Sequence, residues 1–316
     1  MEDMFILNDD QRAILETVAR FVKDEVTPRA SALDANQDPE QCFSWDIVEK
    51  AHEVGIRTLT LAEKWGGLEV DSLTTAMVVE ELAKGDLGVS VIMAQTFKIA
   101  QIMQKAFNAE QQARILSRFA KDPRGLLAIG NTEPGNGSDK HTSHPVPFRT
   151  SAVKTKGGWI VNGMKQFVSN GNRASYYLVA VQTDKAKTMA DGSTYFLVER
   201  DRPGFTIGRV HDKMGERLAN NAELVFQDCF VPDENVVGLV DKGSNVFAEF
   251  SPQSNAYAGA SVLGVAVALH RKAIEWAKLR VQGGKLLVEH DGIRAQLAEM
   301  RMLIDASRSY IHRACM

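Results

Sequence analysis

A polar loop at residues 132–139, TEPGNGSD, is the segment of this sequence best suited to hold a ligand, and it follows an apolar stretch that reads as a strand. Gly135 and Gly137 permit tight turning and let backbone N–H groups approach a ligand closely. Thr132 and Ser138 add hydroxyl groups that can donate hydrogen bonds. Taken alone, this pattern fits a polar hairpin loop equally well.

A second segment, NGMKQFVSNG at 162–171, combines a strand pattern with a turn signal. Phe167 offers a flat apolar face, and Ser169 lies two residues further on the same side of the predicted strand. A flat aromatic ring system could lie on this side. The commoner alternative for a lone phenylalanine is a core aromatic beside a hairpin turn.

The composition excludes several classes of protein. Of the 316 residues, 44% are hydrophobic and 24% are charged, which is ordinary for a globular chain, and the net charge of -3 gives no basic field for nucleic acid. Cys42, Cys229 and Cys315 show neither disulfide nor zinc spacing, which predicts a reducing, cytoplasmic location. The N-terminus resembles no targeting peptide, and no apolar run is long enough to predict a membrane span.

The elements before residue 126 are predicted to be helical. Asn8 and Gln11 form a capping-box pattern ahead of a helix that Pro28 is expected to stop. Further helical patterns run over 46–54, 74–84, 89–107 and 109–121.

Short alternating segments then predict strands at 158–163, 176–181, 194–198 and 222–226, in a small antiparallel barrel or sandwich. Helical periodicity returns in a long helix over 256–280, rich in small residues, and in a last helix after the Gly283–Gly284 turn. The fold class is therefore α+β.

The predicted order is an all-α domain at 1–125, a β domain at 126–238 and a helical domain at 239–316. Two final helices cannot bury all their apolar faces alone, so they either complete a bundle with further chain or pack on other subunits.

Several segments together resemble the acyl-CoA dehydrogenase family. The loop at 132–139 is similar to that family's TEPGAGSD signature, and 162–171 is similar to its G-x-K-x-W-I-T-N-G stretch. The remaining similarities, in matching order along the whole chain, are EKWGG at 63–67, EELA at 80–83, KMGER at 213–217, LVFQDCFVP at 224–232, Arg280 with GKLLVEH at 284–290, and LAEM at 297–300.

The resemblance implies a helical domain, a β domain and a C-terminal four-helix bundle, usually in a homotetramer with FAD between the β domain and the bundle. The residues that match the family's cofactor-binding positions are Ile129, Asn131, Thr132, Gly137, Ser138, Phe167, Val168, Ser169 and Arg280. Arg280 would reach the FAD pyrophosphate of a neighbouring subunit, and Thr132 and Ser169 would face the flavin ring. Ser138 would also face the thioester, and Asn255 occupies the position of an arginine that contacts CoA.

The implied reaction is the α,β-dehydrogenation of a fatty acyl-CoA. A base removes the α-proton, a hydride leaves the β-carbon for flavin N5, and the electrons pass to an electron-transfer flavoprotein. The family's base is usually a glutamate of the C-terminal bundle, which is expected to lie beyond Met316. In some members it lies at the start of the long helix, where this chain has Ser254 and Asn255, so no catalytic residue is assigned and the C-terminal part is expected to be incomplete.

Four departures from the family pattern leave other functions open. They are Asn255 in place of arginine, Phe167 in place of tryptophan, Gly283 in place of phenylalanine and Asp291 in place of glutamine. They indicate either a divergent subfamily with altered substrate or weaker FAD retention, or neutral drift. The alternatives are a flavin-dependent oxidase or monooxygenase of the same fold, and an inactive partner subunit.

Overall fold

The structure is a computed structural model that describes residues 7–137, 146–248 and 251–316. It joins α-helices to one large mixed sheet, as the predicted α+β class requires. Within these described ranges, no helix is long and apolar enough to cross a membrane. The helices are α1 (Asp9–Phe21), α2 (Thr27–Asp34), α3 (Trp45–Glu53), α4 (Ser72–Ala83), α5 (Leu87–Ala106), α6 (Ala109–Lys121), α7 (Met189–Gly192), α8 (Gly243–Ala248), α9 (Ser251–Ala277) and α10 (Asp291–Cys315).

The N-terminal helix begins and continues for identifiable reasons. Asn8 and Gln11 form the predicted capping box at the start of α1. The prediction that Pro28 ends the helical run is wrong, because a π-helical turn at Val22–Val26 leads directly into α2. Pro28 is the second residue of α2, where a missing backbone N–H is tolerated.

The strands are β1 (Leu127–Gly130), β2 (Ser151–Thr155), β3 (Gly158–Ser169), β4 (Tyr176–Gln182), β5 (Ser193–Glu199), β6 (Phe205–Val210), β7 (Asn221–Pro232), β8 (Val236–Val237), β9 (Val281–Gln282) and β10 (Lys285–Leu286). The large sheet has the order β6-β7-β3-β2-β4-β5-β8, with β1 also paired to β4. The sheet is mixed rather than purely antiparallel, because β4 pairs in parallel with both β1 and β2.

The strand predicted at 176–181 is confirmed as β4, but its burial does not alternate, because successive side chains are buried on opposite faces of the sheet. Leu178 and Ala180 of β4 pack in a core cluster with residues of α5 and α6, whereas Tyr177 and Val179 pack in a second cluster with β3 and β7. Both faces of this part of the sheet are therefore covered, which explains why β4 and β5 read as almost continuous apolar runs.

The described chain divides into two compact units. One contains the chain through Ser31, Asp71–Val91 and Pro252–Met316; the other contains Ala32–Val70 and Ile92–Ser251. The predicted boundaries after residues 125 and 238 remain a prediction about domain organisation.

In the first unit, α9 passes very close to α4. A Cβ atom added to Gly264 would lie 2.2 Å from the carbonyl oxygen of Glu80 and 2.6 Å from the Cβ of Ala83. The small residues of α9 are thus needed for helix packing at this point, because a larger side chain would push the helices apart. The same Glu80 receives two hydrogen bonds from Arg308 of α10, at 2.8 and 3.2 Å.

Candidate functional site

The segment after β1 is held in place by buried polar contacts. Ile129 pairs in parallel with Leu178 and packs its partly buried side chain against the core cluster that contains α5 and α6. Asn131 is 6% exposed, and its Oδ1 accepts a hydrogen bond from the hydroxyl of Tyr195 at 2.5 Å. Burial raises the pKa of Tyr195, so its hydroxyl remains a proton donor at neutral pH.

The second candidate segment contains a bulge in β3. Its pairing with β7 shifts register between Lys165 and Val168, and Phe167 within the shift has a φ of 55°. Phe167 is 53% exposed, and its ring lies against the ring of His211 with 4.5 Å between the ring centroids. Val168 is buried in the sheet core, Ser169 is half-buried and Phe167 is exposed, so the bulge places Phe167 and Ser169 on the side of β3 away from this core. Phe167 is therefore an exposed flat face rather than a core aromatic.

The structure brings these two segments together through the backbone. The amide of Gln166 donates to the carbonyl of Thr132 at 2.8 Å. Among the residues that the structure describes, the hydroxyls of Thr132 and Ser169 have no hydrogen-bond partner, although both residues are half-buried. Two joined segments that carry such hydroxyls and an exposed aromatic ring fit a flat ligand with a polar edge, such as a flavin.

The described part of the loop contains two exposed glycines. At Gly137, a Cβ atom would meet none of the described residues within 4 Å. Gly135 has a φ of 87°, which explains the need for glycine in this turn. The predicted cofactor and substrate residue Ser138 lies outside the described residues.

A buried ion pair beneath the two segments was missed by the sequence predictions. The Nζ atom of Lys165 lies 3.1 Å from Oε2 of Glu133, and both side chains are completely buried. Burial lowers the pKa of Lys165 to about 8, although Glu133 opposes this shift. Burial by itself would raise the pKa of Glu133, but Lys165 and hydrogen bonds from Arg149 and Thr150 together hold that pKa below its usual value.

A sequence signal for this pair does exist. Strand periodicity places Lys165 on the same side of β3 as the buried Trp159 and Val161. A lysine on the core side of a strand needs an anionic partner, because an unpaired buried ammonium is very costly. Period-two analysis could therefore have predicted a partner, though not that Glu133 would supply it.

The remaining predicted residues belong to α9 and its C-terminal end, in the other compact unit. Asn255 is exposed and Ser254 is half-buried, one turn into the helix. Arg280 is exposed just after the helix, and its carbonyl accepts from the amide of Leu287 at 2.9 Å. Because a helix rises ~1.5 Å per residue, Asn255 and Arg280 are separated by roughly 35 Å along the axis. They cannot contact the same part of one ligand.

Asp291, one of the four departures, has a cationic neighbour on the same exposed surface of α10. Arg294, one turn further along α10, forms an ion pair with the Asp291 carboxylate. Gly283 has a φ of 63° in the hairpin turn, and a Cβ atom there would lie 3.4 Å from the His290 ring. The left-handed conformation at this position favours glycine.

Sequence comparison identifies the same family along the chain. Models of the N-terminal, middle and C-terminal domains of acyl-CoA dehydrogenases match residues 8–122, 128–229 and 241–316. From the sequence, the C-terminal part was expected to be incomplete. This expectation is corrected, because the C-terminal domain model matches residues 241–316.

Individual relatives of known family support the same assignment. The short-chain specific acyl-CoA dehydrogenase of Megasphaera elsdenii is 33% identical over 98% of this chain and 79% of its own length. The mitochondrial isovaleryl-CoA dehydrogenase of Oryza sativa subsp. japonica is 29% identical over 97% of this chain and 73% of its own length.

Solved structures give the same result. Butyryl-CoA dehydrogenase from Megasphaera elsdenii superimposes with a TM-score of 0.90 and 32% identity, over 100% of this chain and 80% of that one. The FAD complex of PigA superimposes with a TM-score of 0.87 and 25% identity over the same shares. With these matches to all three domains, the chain belongs to the acyl-CoA dehydrogenase family of FAD-dependent oxidoreductases.

Proposed function

We propose that this protein binds FAD and catalyses the α,β-dehydrogenation of an acyl-CoA thioester, passing the electrons to an electron-transfer flavoprotein. The observation that carries the proposal is the backbone hydrogen bond from Gln166 to Thr132, which joins the loop of Thr132 to the strand segment of Phe167 and Ser169. Thr132 and Ser169 are half-buried and their hydroxyls have no partner among the described residues, and Phe167 is exposed. The matches to family domains over most of the chain support it.

Several residues of this chain would hold the cofactor. Bound FAD would supply the hydride acceptor, flavin N5. Thr132 and Ser169 would donate hydrogen bonds to the polar edge of the flavin, and Phe167 would pack against an apolar part of the cofactor. Gly137 and Ser138 match the family's cofactor-binding positions, and Ser138 would face both cofactor and thioester. Arg280 would bind the pyrophosphate carried by a neighbouring subunit, for which a guanidinium is well suited.

The α-proton is weakly acidic, so its removal requires a positioned base and hydrogen bonds to the thioester oxygen. Ser254 and Asn255 cannot serve as a carboxylate base. The proposal therefore assigns no residue of this chain as the base.

Substrate and partners follow from the relatives. Their names specify short-chain, butyryl and isovaleryl thioesters, which supports a short or short branched acyl group. One similar solved structure, with a TM-score of 0.90 and 29% identity, is described as an electron transferring flavoprotein of Acidaminococcus fermentans, which supports that type of acceptor. A homotetramer and a cytoplasmic location are also proposed; the three free cysteines support the latter.

The test is turnover of the purified protein with butyryl-CoA, isovaleryl-CoA and palmitoyl-CoA. We expect oxidation of a short thioester when an electron-accepting dye or an electron-transfer flavoprotein is present, and little oxidation with oxygen alone. Flavin-loaded protein that oxidises none of the three with either acceptor would contradict the proposed function.

The exposed Asn255 favours one alternative, an oxidase of the same fold, because it removes the family's contact to CoA. In that case oxygen would replace the dye as an efficient acceptor. A protein that binds no FAD at all would favour an inactive partner subunit.

A further inference from the structure

We propose that the buried ion pair between Glu133 and Lys165 is a positioning element for the flavin, which fixes the spacing of Thr132 and Ser169. This inference rests on the proposed function, because it concerns the same cofactor site. Neither member of the pair is expected to touch the cofactor, so both act through the neighbouring residues.

Glu133 ties three separate segments together. Its Oε2 accepts hydrogen bonds from the amide and the hydroxyl of Thr150, at 3.1 and 2.8 Å, and contacts Lys165 Nζ at 3.1 Å. Its Oε1 accepts from the amide of Arg149. The carboxylate therefore joins the loop after β1, the chain leading into β2, and β3.

Lys165 reaches back to the other side of the same loop. Its Nζ donates to the carbonyl of Asn131 at 3.2 Å and lies 3.8 Å from the centroid of the Phe148 ring. Gly130 makes room for its stem, because a Cβ atom there would lie only 3.3 Å from Lys165 Cγ.

The pair brackets the residues proposed to meet the flavin. Glu133 directly follows Thr132, and Lys165 lies four residues before Ser169. Between these positions, the amide of Gln166 donates to the Thr132 carbonyl at 2.8 Å. The pair therefore acts on the same two segments that carry the hydroxyls, and its loss is expected to change their spacing.

A buried ion pair is an inefficient way to stabilise a fold, because the cost of removing both charges from water offsets their attraction. Neutral side chains of similar volume often replace such pairs without loss of stability. This pair also constrains the loop on which the cofactor is proposed to rest, so geometric specificity is the better explanation for its presence at this place.

The experiment compares wild-type protein with the double variant Glu133→Gln/Lys165→Met, which keeps side-chain volume and removes both charges. The control is Arg114→Met, which removes an ion pair to Glu234, at 2.8 Å, in the same compact unit. The measurements are the Kd for FAD of each apoprotein, its Tm, and the visible circular dichroism of the flavin at saturating FAD.

We expect the double variant to bind FAD at least tenfold more weakly than wild type and to change the flavin dichroism. Its Tm is expected to be close to that of Arg114→Met. The Kd of Arg114→Met for FAD is expected to stay at the wild-type value. A double variant that folds and binds FAD within twofold of wild type overturns the inference while the proposed function stands.

If the double variant does not fold, Gly130→Ala takes its place, because it displaces the Lys165 stem and keeps both charges. The same changes are then expected, and an unaltered Kd and dichroism overturn the inference. A wild-type protein that binds no FAD overturns both proposals.

Discussion

The backbone amide of Gln166 donates a hydrogen bond to the carbonyl of Thr132 at 2.8 Å, and this contact joins the two segments proposed to bind the flavin. The loop after β1 and the bulge of β3 are more than thirty residues apart in sequence. This contact brings into one compact unit the exposed ring of Phe167 and two hydroxyls that have no partner among the described residues.

Removal of the hydroxyls tests their assignment. Thr132→Val and Ser169→Ala are each expected to cost about 1 kcal/mol of FAD binding, a roughly fivefold rise in Kd, because each removes one hydrogen bond to the cofactor. The Tm of the apoprotein should stay unchanged, since neither hydroxyl bonds to another described residue. Fluorescence titration with FAD measures the first quantity, and Thr206→Val, on the exposed side of β6, is the control. Wild-type affinity in both variants would show that these hydroxyls face no ligand.

An arginine introduced at Asn255 should strengthen substrate binding. The position is exposed at the start of α9, and the resemblance places a CoA-contacting arginine there. A charge-assisted hydrogen bond to CoA is worth about 1.5–3 kcal/mol, so Asn255→Arg is expected to lower KM for acyl-CoA about tenfold or more. Asn255→Gln lengthens the side chain without adding charge and should leave KM unchanged. Equal KM values for both variants would place CoA elsewhere.

The Glu133 carboxylate should make the free energy of unfolding depend on pH in the acidic range. Its pKa in the folded state is below the usual 4.5, so its contribution is present above that pH and is lost as the pH falls through the folded-state pKa. The free-energy difference of unfolding between wild type and Glu133→Gln should therefore shrink as the pH is lowered below about 4.5. Urea denaturation of the apoproteins between neutral and acidic pH measures it. A difference that is constant with pH would mean that Glu133 does not titrate there.

Two glycines on helices should respond oppositely to the same substitution. Gly264→Ala on α9 is expected to destabilise the fold by about 1–3 kcal/mol, because its Cβ would meet the backbone of α4 at 2.2 Å. Gly292→Ala on α10 has nothing within 4 Å and should be neutral or stabilise by up to ~1 kcal/mol through helix propensity. Denaturant midpoints of both variants give the comparison. A harmless Gly264→Ala would contradict the close approach of α9 and α4.

The fold was predictable where the signal is local. The capping box at Asn8 and the strand at 176–181 depend on neighbouring residues, and both predictions are confirmed. The prediction at Pro28 is wrong because a π-helical turn precedes α2 and Pro28 lies in the first turn of that helix. Sequence spacing does not reveal the π-helical turn. The parallel pairing of β1 with β4 was also missed, since it depends on a crossover that periodicity cannot detect.

The same division applies to the site. Phe167 and Ser169 could be placed on one side of β3 from alternation alone. The bulge that gives Phe167 its φ of 55° could not be predicted, because the register between β3 and β7 is fixed by long-range pairing. The partnership of Glu133 and Lys165 was inaccessible for the same reason, since it joins residues that only the folded chain brings within 3.1 Å.

The most direct test of the proposed activity is anaerobic addition of butyryl-CoA to the purified, FAD-loaded protein while its visible absorbance is recorded. We predict that the oxidised flavin band bleaches within one turnover, because hydride transfer from the β-carbon requires no external acceptor. The wild-type rate should exceed that of the Thr132→Val/Ser169→Ala double variant. An oxidised flavin spectrum that neither butyryl-CoA nor isovaleryl-CoA bleaches would contradict the assignment of this chain as an acyl-CoA dehydrogenase acting on short thioesters.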